Sequence, residues 1–240
     1  MTKFRLDHLL VKNNLVLTRS QAESWIKLGR VKVNGKNITK PGYFVDETAK
    51  VSLNASEQYV SRAGLKLASV AKMLGLKFNN AIVLDVGSST GGFTDYSLQH
   101  GAKKVIAVDV GTDQLHPSLQ GNFAIELHEK TDIRDIKAMS DIPDIVVIDV
   151  SFISLREILP HVATLCNFNT NIAAMVKPQF EAGSDTKSKG VIKNDAVRRK
   201  ILKDFEIWAK QYFVVADKAD SDVAGAKGNR ERFYLLKPSK

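Results

Sequence analysis

The sequence predicts an α/β chain, a doubly wound and mostly parallel twisted sheet preceded by a small α+β module. Three observations carry that expectation. First, the run AIVLDVGSSTGGFTDYSL at residues 81–98 joins a buried strand to a helix through a glycine-rich turn. Second, short apolar runs alternate with segments of helical period from there onward, the order that a parallel sheet with helices on both faces requires. Third, residues 1–50 hold ten Lys or Arg against four Asp or Glu, whereas residues 51–240 hold 25 against 22. A basic module over residues 1–58 and a larger domain over residues 59–240 are therefore expected.

In the first module, Leu6, Leu9 and Leu10 repeat at helical spacing, and the helix yields near Asn13 and Asn14. A second helix begins near Thr18, where either Thr18 with Gln21 or Ser20 with Glu23 offers a capping box; Ala22, Trp25 and Ile26 form its apolar face. Gly29 is a natural stop. Residues 31–33, Asn34-Gly35 and residues 36–38 then read as a hairpin with a two-residue turn. Arg5, Arg19, Lys27, Arg30, Lys32 and Lys36 are expected to converge on one phosphate-tracking surface, and nucleic acid is the leading partner for so basic a module. A linker near residues 56–62 leads into a helix over 62–74.

In the larger domain, Ile82, Val83 and Leu84 read as a strand covered on both faces, with Asp85 at its C-terminal end. Gly87, Gly91 and Gly92 follow and are expected to let the backbone approach a ligand. Their D-x-G-x-x-x-G spacing differs from the G-x-G-x-x-G that clears room for a dinucleotide pyrophosphate. An acid at the strand tip repels a phosphate but suits the ammonium of an amino acid, so S-adenosylmethionine fits this turn better than NAD. Residues 105–111 make a second strand with Asp109 about 20 residues past the turn, where a carboxylate accepts from both ribose hydroxyls. Residues 123–127 make a third, leading to Glu129, Lys130, Thr131 and Asp132 at the adenine end. Residues 145–150 and 172–176 supply the fourth and fifth, residues 212–216 and 232–236 two more, and residues 154–168 and 195–211 carry helical periodicity. Ligands gather at the carboxyl ends of such strands. The expected cofactor-binding set is Asp85, Gly87, Ser89, Gly91, Gly92, Phe93, Asp109, Asp132 and Asp149.

At 240 residues the chain has room for one full α/β domain and a small companion. Cys166 is the single cysteine, which excludes a disulfide within the chain, and its apolar helix marks it as a structural thiol. The five histidines are scattered without ligand spacing, so no metal is expected. No signal peptide is evident, and no run approaches the roughly 18 apolar residues of a membrane span, so a soluble cytoplasmic protein is expected.

The strings R-L-D-x-L-L, T-R-S-Q-A, G-R-V-x-V-N-G and K-P-G, over about residues 4–50, resemble the S4 RNA-binding domain. YVSRAGLKL, LDVGSSTGGFTD, AVDVG, DVSFISL, VKPQFE and KGV resemble the FtsJ-like methyltransferase domain of the TlyA family, whose members are called hemolysins but act as ribosomal RNA ribose 2′-O-methyltransferases. That resemblance implies a Rossmann-like class I methyltransferase fold, S-adenosyl-L-methionine as cofactor and ribosomal RNA or ribosomal subunits as partner. It implies a cytidine of 23S RNA, alone or with one of 16S RNA, as acceptor, and nothing local decides between these. It also implies a Lys-Asp-Lys-Glu constellation at Lys66, Asp149, Lys177 and Glu231.

The residues themselves bear on that constellation unequally. Asp149 ends the fourth strand and Lys177 follows the fifth, so both project over the expected crevice, and Lys177 is the expected proton acceptor or hydroxyl-positioning group. Lys66, by local sequence, reads as a surface lysine of its helix. Where the family has S-P-I this chain has Ser221-Asp222-Val223, which leaves the alignment of Glu231 open to a small slip. Cytosine C5 methylation needs a cysteine over the base, and Cys166 is wrongly located for that. Exocyclic-amine methylation commonly uses an N/D-P-P-aromatic run, and here Asp149-Val150-Ser151-Phe152 stands instead, so oxygen is the expected acceptor. Phe152 is read as core packing, slightly ahead of stacking on a base or on the cofactor. Two rival readings are a non-catalytic RNA-binding factor with a degenerate methyltransferase fold and a pore-forming protein, as the family's name suggests.

Overall fold

The computed structural model describes residues 3–16, 18–27, 29–54, 59–182, 190–225 and 227–239. Strand β1 (Lys3–Arg5) runs into helix α1 (Leu6–Lys12), which turns Leu6, Leu9 and Leu10 fully inward. Helix α2 (Arg19–Lys27) opens on the Thr18–Gln21 capping box: the Gln21 amide donates to Thr18 Oγ1 and the Thr18 amide to Gln21 Oε1, each at 3.2 Å. The alternative box involves Ser20, whose side chain lies outside the described set. Strands β2 (Val31–Val33) and β3 (Lys36–Asn37) form the expected hairpin. Asn34 and Gly35 have φ of 50° and 80°, the pair of left-handed residues that a type I′ turn needs. Three strands were not anticipated: β1, β4 (Phe44–Asp46), which pairs with it, and β5 (Val51–Leu53), which pairs with β2.

The linker expected near residues 56–62 falls partly outside the described residues, which resume at Tyr59. Helix α3 (Arg62–Ala71) follows, then β6 (Ile82–Val86), α4 (Gly92–Gln99), β7 (Lys104–Val108), β8 (Ile125–His128), β9 (Ile145–Ile148), α5 (Leu155–Thr164), β10 (Asn171–Val176), α6 (Pro178–Glu181), α7 (Asp195–Ala209), β11 (Phe213–Asp220) and β12 (Arg232–Pro238). The strands order as β11-β12-β10-β9-β6-β7-β8. From β10 to β8 every pairing is parallel, but β12 runs antiparallel to both its neighbours. The parallel alternation read from the sequence thus stops at β10. Among the described residues no helix separates β11 from β12, and without a crossover consecutive strands can pair only antiparallel.

Each face of this sheet carries its own core. On one, Val83, Val105, Val147 and Met175 join a continuous apolar cluster that reaches through Tyr59 to Trp25 and Leu9 of the first module. On the other, Leu84, Ile106 and Ile148 pack against Leu159 of α5 and Phe205 of α7. Gln21 Nε2 also donates to the Tyr59 carbonyl, so a polar tie accompanies the shared core.

Two of the glycines expected to admit a ligand are closed in on their Cβ side by packing. A Cβ on Gly91 would stand 2.5 Å from Leu119 Cδ1, and one on Gly92 would stand 2.2 Å from Ser61 Oγ and 2.8 Å from Ala63 Cβ. Gly91 also caps α4 in the left-handed region at φ 87°. The N-termini of α3 and α4 therefore press together where only hydrogen fits. Gly92→Ala is expected to destabilise the fold by about 1–3 kcal/mol through overpacking. Urea denaturation checks this, and a midpoint equal to wild type would refute it.

Candidate active site

The C-terminal ends of β6, β7, β9 and β10 frame a cleft of about 370 Å³ that opens beside a smaller, deeper pocket of about 180 Å³. The deeper pocket is lined by Asp85, Ser88, Asp149, Ser151 and Lys177 together with Ser61 and Ala63 at the start of α3. Asp85 is fully buried; Thr94 Oγ1 donates to its Oδ2 at 2.7 Å, while its Oδ1 has no hydrogen-bond partner, nor has Ser88 Oγ. Burial pushes the Asp85 carboxyl up to about 7, aided by the negative charges of Asp149 and Asp109 and opposed by the Thr94 hydrogen bond. Such orphaned acceptors ask for a donor. An ammonium satisfies them, so the amino-acid end of S-adenosylmethionine fits this pocket.

Asp109 sits just beyond β7 and ties the turn together. Its Oδ2 accepts from the Ser89 amide at 2.8 Å and its Oδ1 from the Gly111 amide at 2.7 Å. A carboxylate has about four lone-pair sites, so both oxygens keep capacity for ribose hydroxyls. Ser89 itself is held at φ 45° by this tie. Asp132 caps the short turn Ile133–Asp135 and is gripped by Arg134 through Nε at 3.0 Å and a terminal nitrogen at 2.7 Å, which keeps its carboxyl below the ordinary range. Gly87 has φ 82°, and a Cβ there would lie 2.8 Å from the Asp149 carbonyl. Phe93 is buried against Phe233, with ring centres 6.0 Å apart, and borders the deeper pocket.

Two lysine–carboxylate pairs stand at this edge. Lys177 Nζ lies 2.5 Å from Asp149 Oδ1 and donates to Ser151 Oγ at 2.8 Å; Lys66 Nζ lies 2.6 Å from Glu231 Oε2. Each ammonium is engaged by its own carboxylate. Lys66 is only 7% exposed, which overturns its reading as a surface lysine: α3 turns it inward under the sheet edge. Topology brings Glu231 to the same edge, because Val176 pairs with Arg232 and the next step outward sets Lys177 against Glu231. A Cβ on Gly225 would meet Glu231 Oε1 at 2.6 Å, so the loop before β12 needs a glycine for this carboxylate to tuck in.

The basic residues of the first module divide into two groups. Arg5 and Arg19 converge on Asp7: Arg5 donates through Nε at 3.0 Å and a terminal nitrogen at 2.7 Å, and Arg19 through Nε at 3.0 Å. Lys27 shares Glu23 with Arg19, at 4.0 and 3.6 Å. Arg30, Lys32 and Lys36 are exposed on and before the hairpin, with no contact that draws them to the others among the described residues. Burial alone would push the Asp7 carboxyl up, but the hydrogen bonds from Arg5 and Arg19 outweigh it and bring it down to about 2. Its stabilising contribution is present above the ordinary value of 3.8 and is lost as pH falls toward about 2. Because both arginines are partly solvated, Asp7→Asn is expected to cost about 1–2 kcal/mol at neutral pH. The variant should also lack the acid-induced loss across that window, as a pH series of thermal melts would reveal.

Sequence reasoning misplaced Phe152. It is 90% exposed, at φ 67°, with its ring 5.2 Å from that of Phe180, so it belongs to the surface beside the cleft. Ser151 was passed over as a partner of Lys177, and Glu181 was passed over altogether. The Glu181 side chain is 2% exposed; it accepts from Ser154 Oγ at 2.6 Å and from the Leu155 amide at 2.7 Å, and burial pushes its carboxyl up. It thereby fastens the loop after β9 to the turn after β10, and the only sequence signal was an acid four residues past Lys177. Cys166 is half-buried and burial pushes its thiol up to about 12, far from a nucleophile. Among the described residues no group of His, Cys, Asp and Glu could hold a metal, and no helix is long and apolar enough to cross a membrane.

Comparison with known proteins gives matches over both modules. Residues 59–237 match the model of the FtsJ-like methyltransferase family, and residues 4–51 that of the S4 domain. The 23S rRNA (cytidine-2′-O)-methyltransferase TlyA of Campylobacter jejuni is 42% identical over 182 residues, covering 75% of this chain and 71% of that one. The 16S/23S rRNA (cytidine-2′-O)-methyltransferase TlyA of Mycobacterium tuberculosis is 32% identical over 248 residues, covering 97% and 89%. A solved structure from Streptococcus thermophilus, titled as a hemolysin, matches with a TM-score of 0.75 at 36% identity, covering 100% of this chain and 90% of that one.

Proposed function

Because this chain belongs to the FtsJ-like methyltransferase family and carries an S4 domain ahead of it, we propose that it transfers a methyl group from S-adenosylmethionine to the ribose 2′-hydroxyl of a cytidine in ribosomal RNA. The observation that carries this reading is the Lys177 amine, fixed between Asp149 at 2.5 Å and Ser151 at 2.8 Å on the wall of the pocket that suits the cofactor's amino-acid end.

S-adenosylmethionine, when bound, supplies an electrophilic methyl whose departure leaves a neutral thioether. Asp85 and Ser88 bind its ammonium, Asp109 its ribose, and the Asp132 side its adenine. The remaining chemistry is alignment of the acceptor and removal of one proton. Once its own proton has passed to solvent, the Lys177 amine orients the ribose hydroxyl and takes its proton, and Asp149 stabilises the ammonium that results. Lys66 and Glu231 form the second pair of the same edge and hold the ribose from the α3 side. The module over residues 1–58 docks on folded RNA, with Arg5 and Arg19 presented by Asp7, and the domain over residues 59–240 performs the transfer. This reading puts the protein in the cytoplasm with the ribosomal subunits. The relatives' names support 23S RNA as substrate, with 16S RNA beside it in one of them.

Incubation of purified ribosomal subunits with methyl-labelled cofactor, followed by mass spectrometry of the RNA, tests the proposal. Label on a cytidine 2′-oxygen is the expected result. No incorporation into either subunit, with cofactor binding intact, would favour a non-catalytic RNA-binding role.

A further inference from the structure

Beside the cofactor cleft lies a second, more open hollow of about 450 Å³. Phe152 borders both and so forms the partition between them. Its far side presents Phe180, with Gln179 and Arg156 on the walls. Two polar atoms here are buried yet unpartnered, the Gln179 carboxamide oxygen and Arg156 Nε, an acceptor and a donor on neighbouring elements. Unmade hydrogen bonds at buried atoms destabilise a fold. They persist in a site whose partner arrives from outside. Glu181 Oε2 ion-pairs with Arg156 Nε at 3.7 Å but makes no hydrogen bond to it, since the Glu181 oxygens accept from Ser154 and Leu155.

The chemistry of the hollow is specific. It offers an aromatic face, a planar guanidinium whose carbon lies 5.9 Å from the centre of the Trp208 ring, and a carboxamide carrying one acceptor and two donors. Together these suit a flat heterocycle with both donors and acceptors on its edge. Single-stranded RNA is recognised in that way, by stacking splayed bases on aromatic or guanidinium planes and hydrogen-bonding their edges. We propose that this hollow binds the nucleobase adjacent to the modified nucleotide, stacked on Phe180 and read at its edge by Gln179 and Arg156. The proposal rests on the RNA-methylating reading above. It assigns to Gln179 a role in choosing the sequence around the target, separate from the transfer itself.

Methylation kinetics on ribosomal subunits, and on short transcripts spanning the mapped position with each flanking base changed in turn, provide the test. For Gln179→Leu the expected result is a rise of about tenfold in KM for RNA, with kcat and cofactor affinity unchanged and with the flanking-base preference flattened. Phe180→Leu should raise KM for every flanking base alike, because stacking is sequence-tolerant. Wild-type KM and wild-type base preference in a Gln179→Leu variant that melts like wild type would overturn the proposal. Failure of the wild-type protein to label any RNA would instead overturn the reading on which it rests.

Discussion

Replacing Lys177 with methionine is expected to lower the methylation rate by 10²- to 10⁴-fold while cofactor affinity changes by no more than a few-fold. The magnitude is that of removing a positioned proton-transfer group. The split between rate and affinity follows from geometry: Lys177 faces Asp149 and Ser151, whereas the groups suited to the cofactor's ammonium and ribose are Asp85, Ser88 and Asp109. Methionine keeps the length of the side chain but leaves Asp149, 14% exposed at its side chain, without its cation. A thermal melt must accompany the kinetics for that reason. Lys177→Arg retains the charge beside Asp149 but not the single compact amine, so it should restore stability without restoring rate. A folded Lys177→Met protein that methylates at the wild-type rate would remove Lys177 from the mechanism.

Asp85→Asn should weaken S-adenosylmethionine binding by roughly 10- to 100-fold, the range of a lost hydrogen bond to a charged group. The pH dependence is a sharper signature. The carboxyl keeps its proton up to about 7 in the folded chain, but an ammonium prefers the ionised form. Wild-type affinity, measured by calorimetry, should therefore rise as pH increases through about 7, and the asparagine variant should be flat there. The free protein carries the opposite trend. Between the ordinary value of 3.8 and about 7 the folded chain binds more protons than the unfolded one, so stability falls as pH rises through that window. At pH 8 the free Asp85→Asn variant should accordingly melt above wild type, a gain in stability made at the expense of binding. Equal slopes for the two proteins would mean that Asp85 does not meet the ammonium.

How much of this was legible in the sequence depends on how far each signal reaches along the chain. The strands β6, β7, β9 and β10 announced themselves because a strand covered on both faces must be a continuous apolar run. The hairpin at Asn34-Gly35 was equally plain, since a type I′ turn demands both of its residues in the left-handed region. Strands β1, β4 and β5 went unseen, as three residues give no alternation to detect. Asp109 and Lys177 were readable from their positions after strands. Lys66 was not, because its burial is decided by Glu231, 165 positions later. The opposite error came with Phe152: local chemistry placed it in the core, whereas it stands in solvent, and the close packing of Gly91 and Gly92 against a neighbouring helix and leucines was not visible locally. Asp7 was visible within R-L-D-x-L-L, but that it gathers two arginines separated by 14 positions emerges only when α1 and α2 pack.

The place of β12 in the sheet sets a timetable for assembly. It follows β11 in chain order, yet it lies between β10 and β11 and pairs along both. A growing polypeptide that has completed β11 thus still presents the open flank of β10, and Lys66 has no counter-ion until residue 231 is in position. The Lys66–Glu231 pair is therefore completed only when the β11–β12 hairpin is in place.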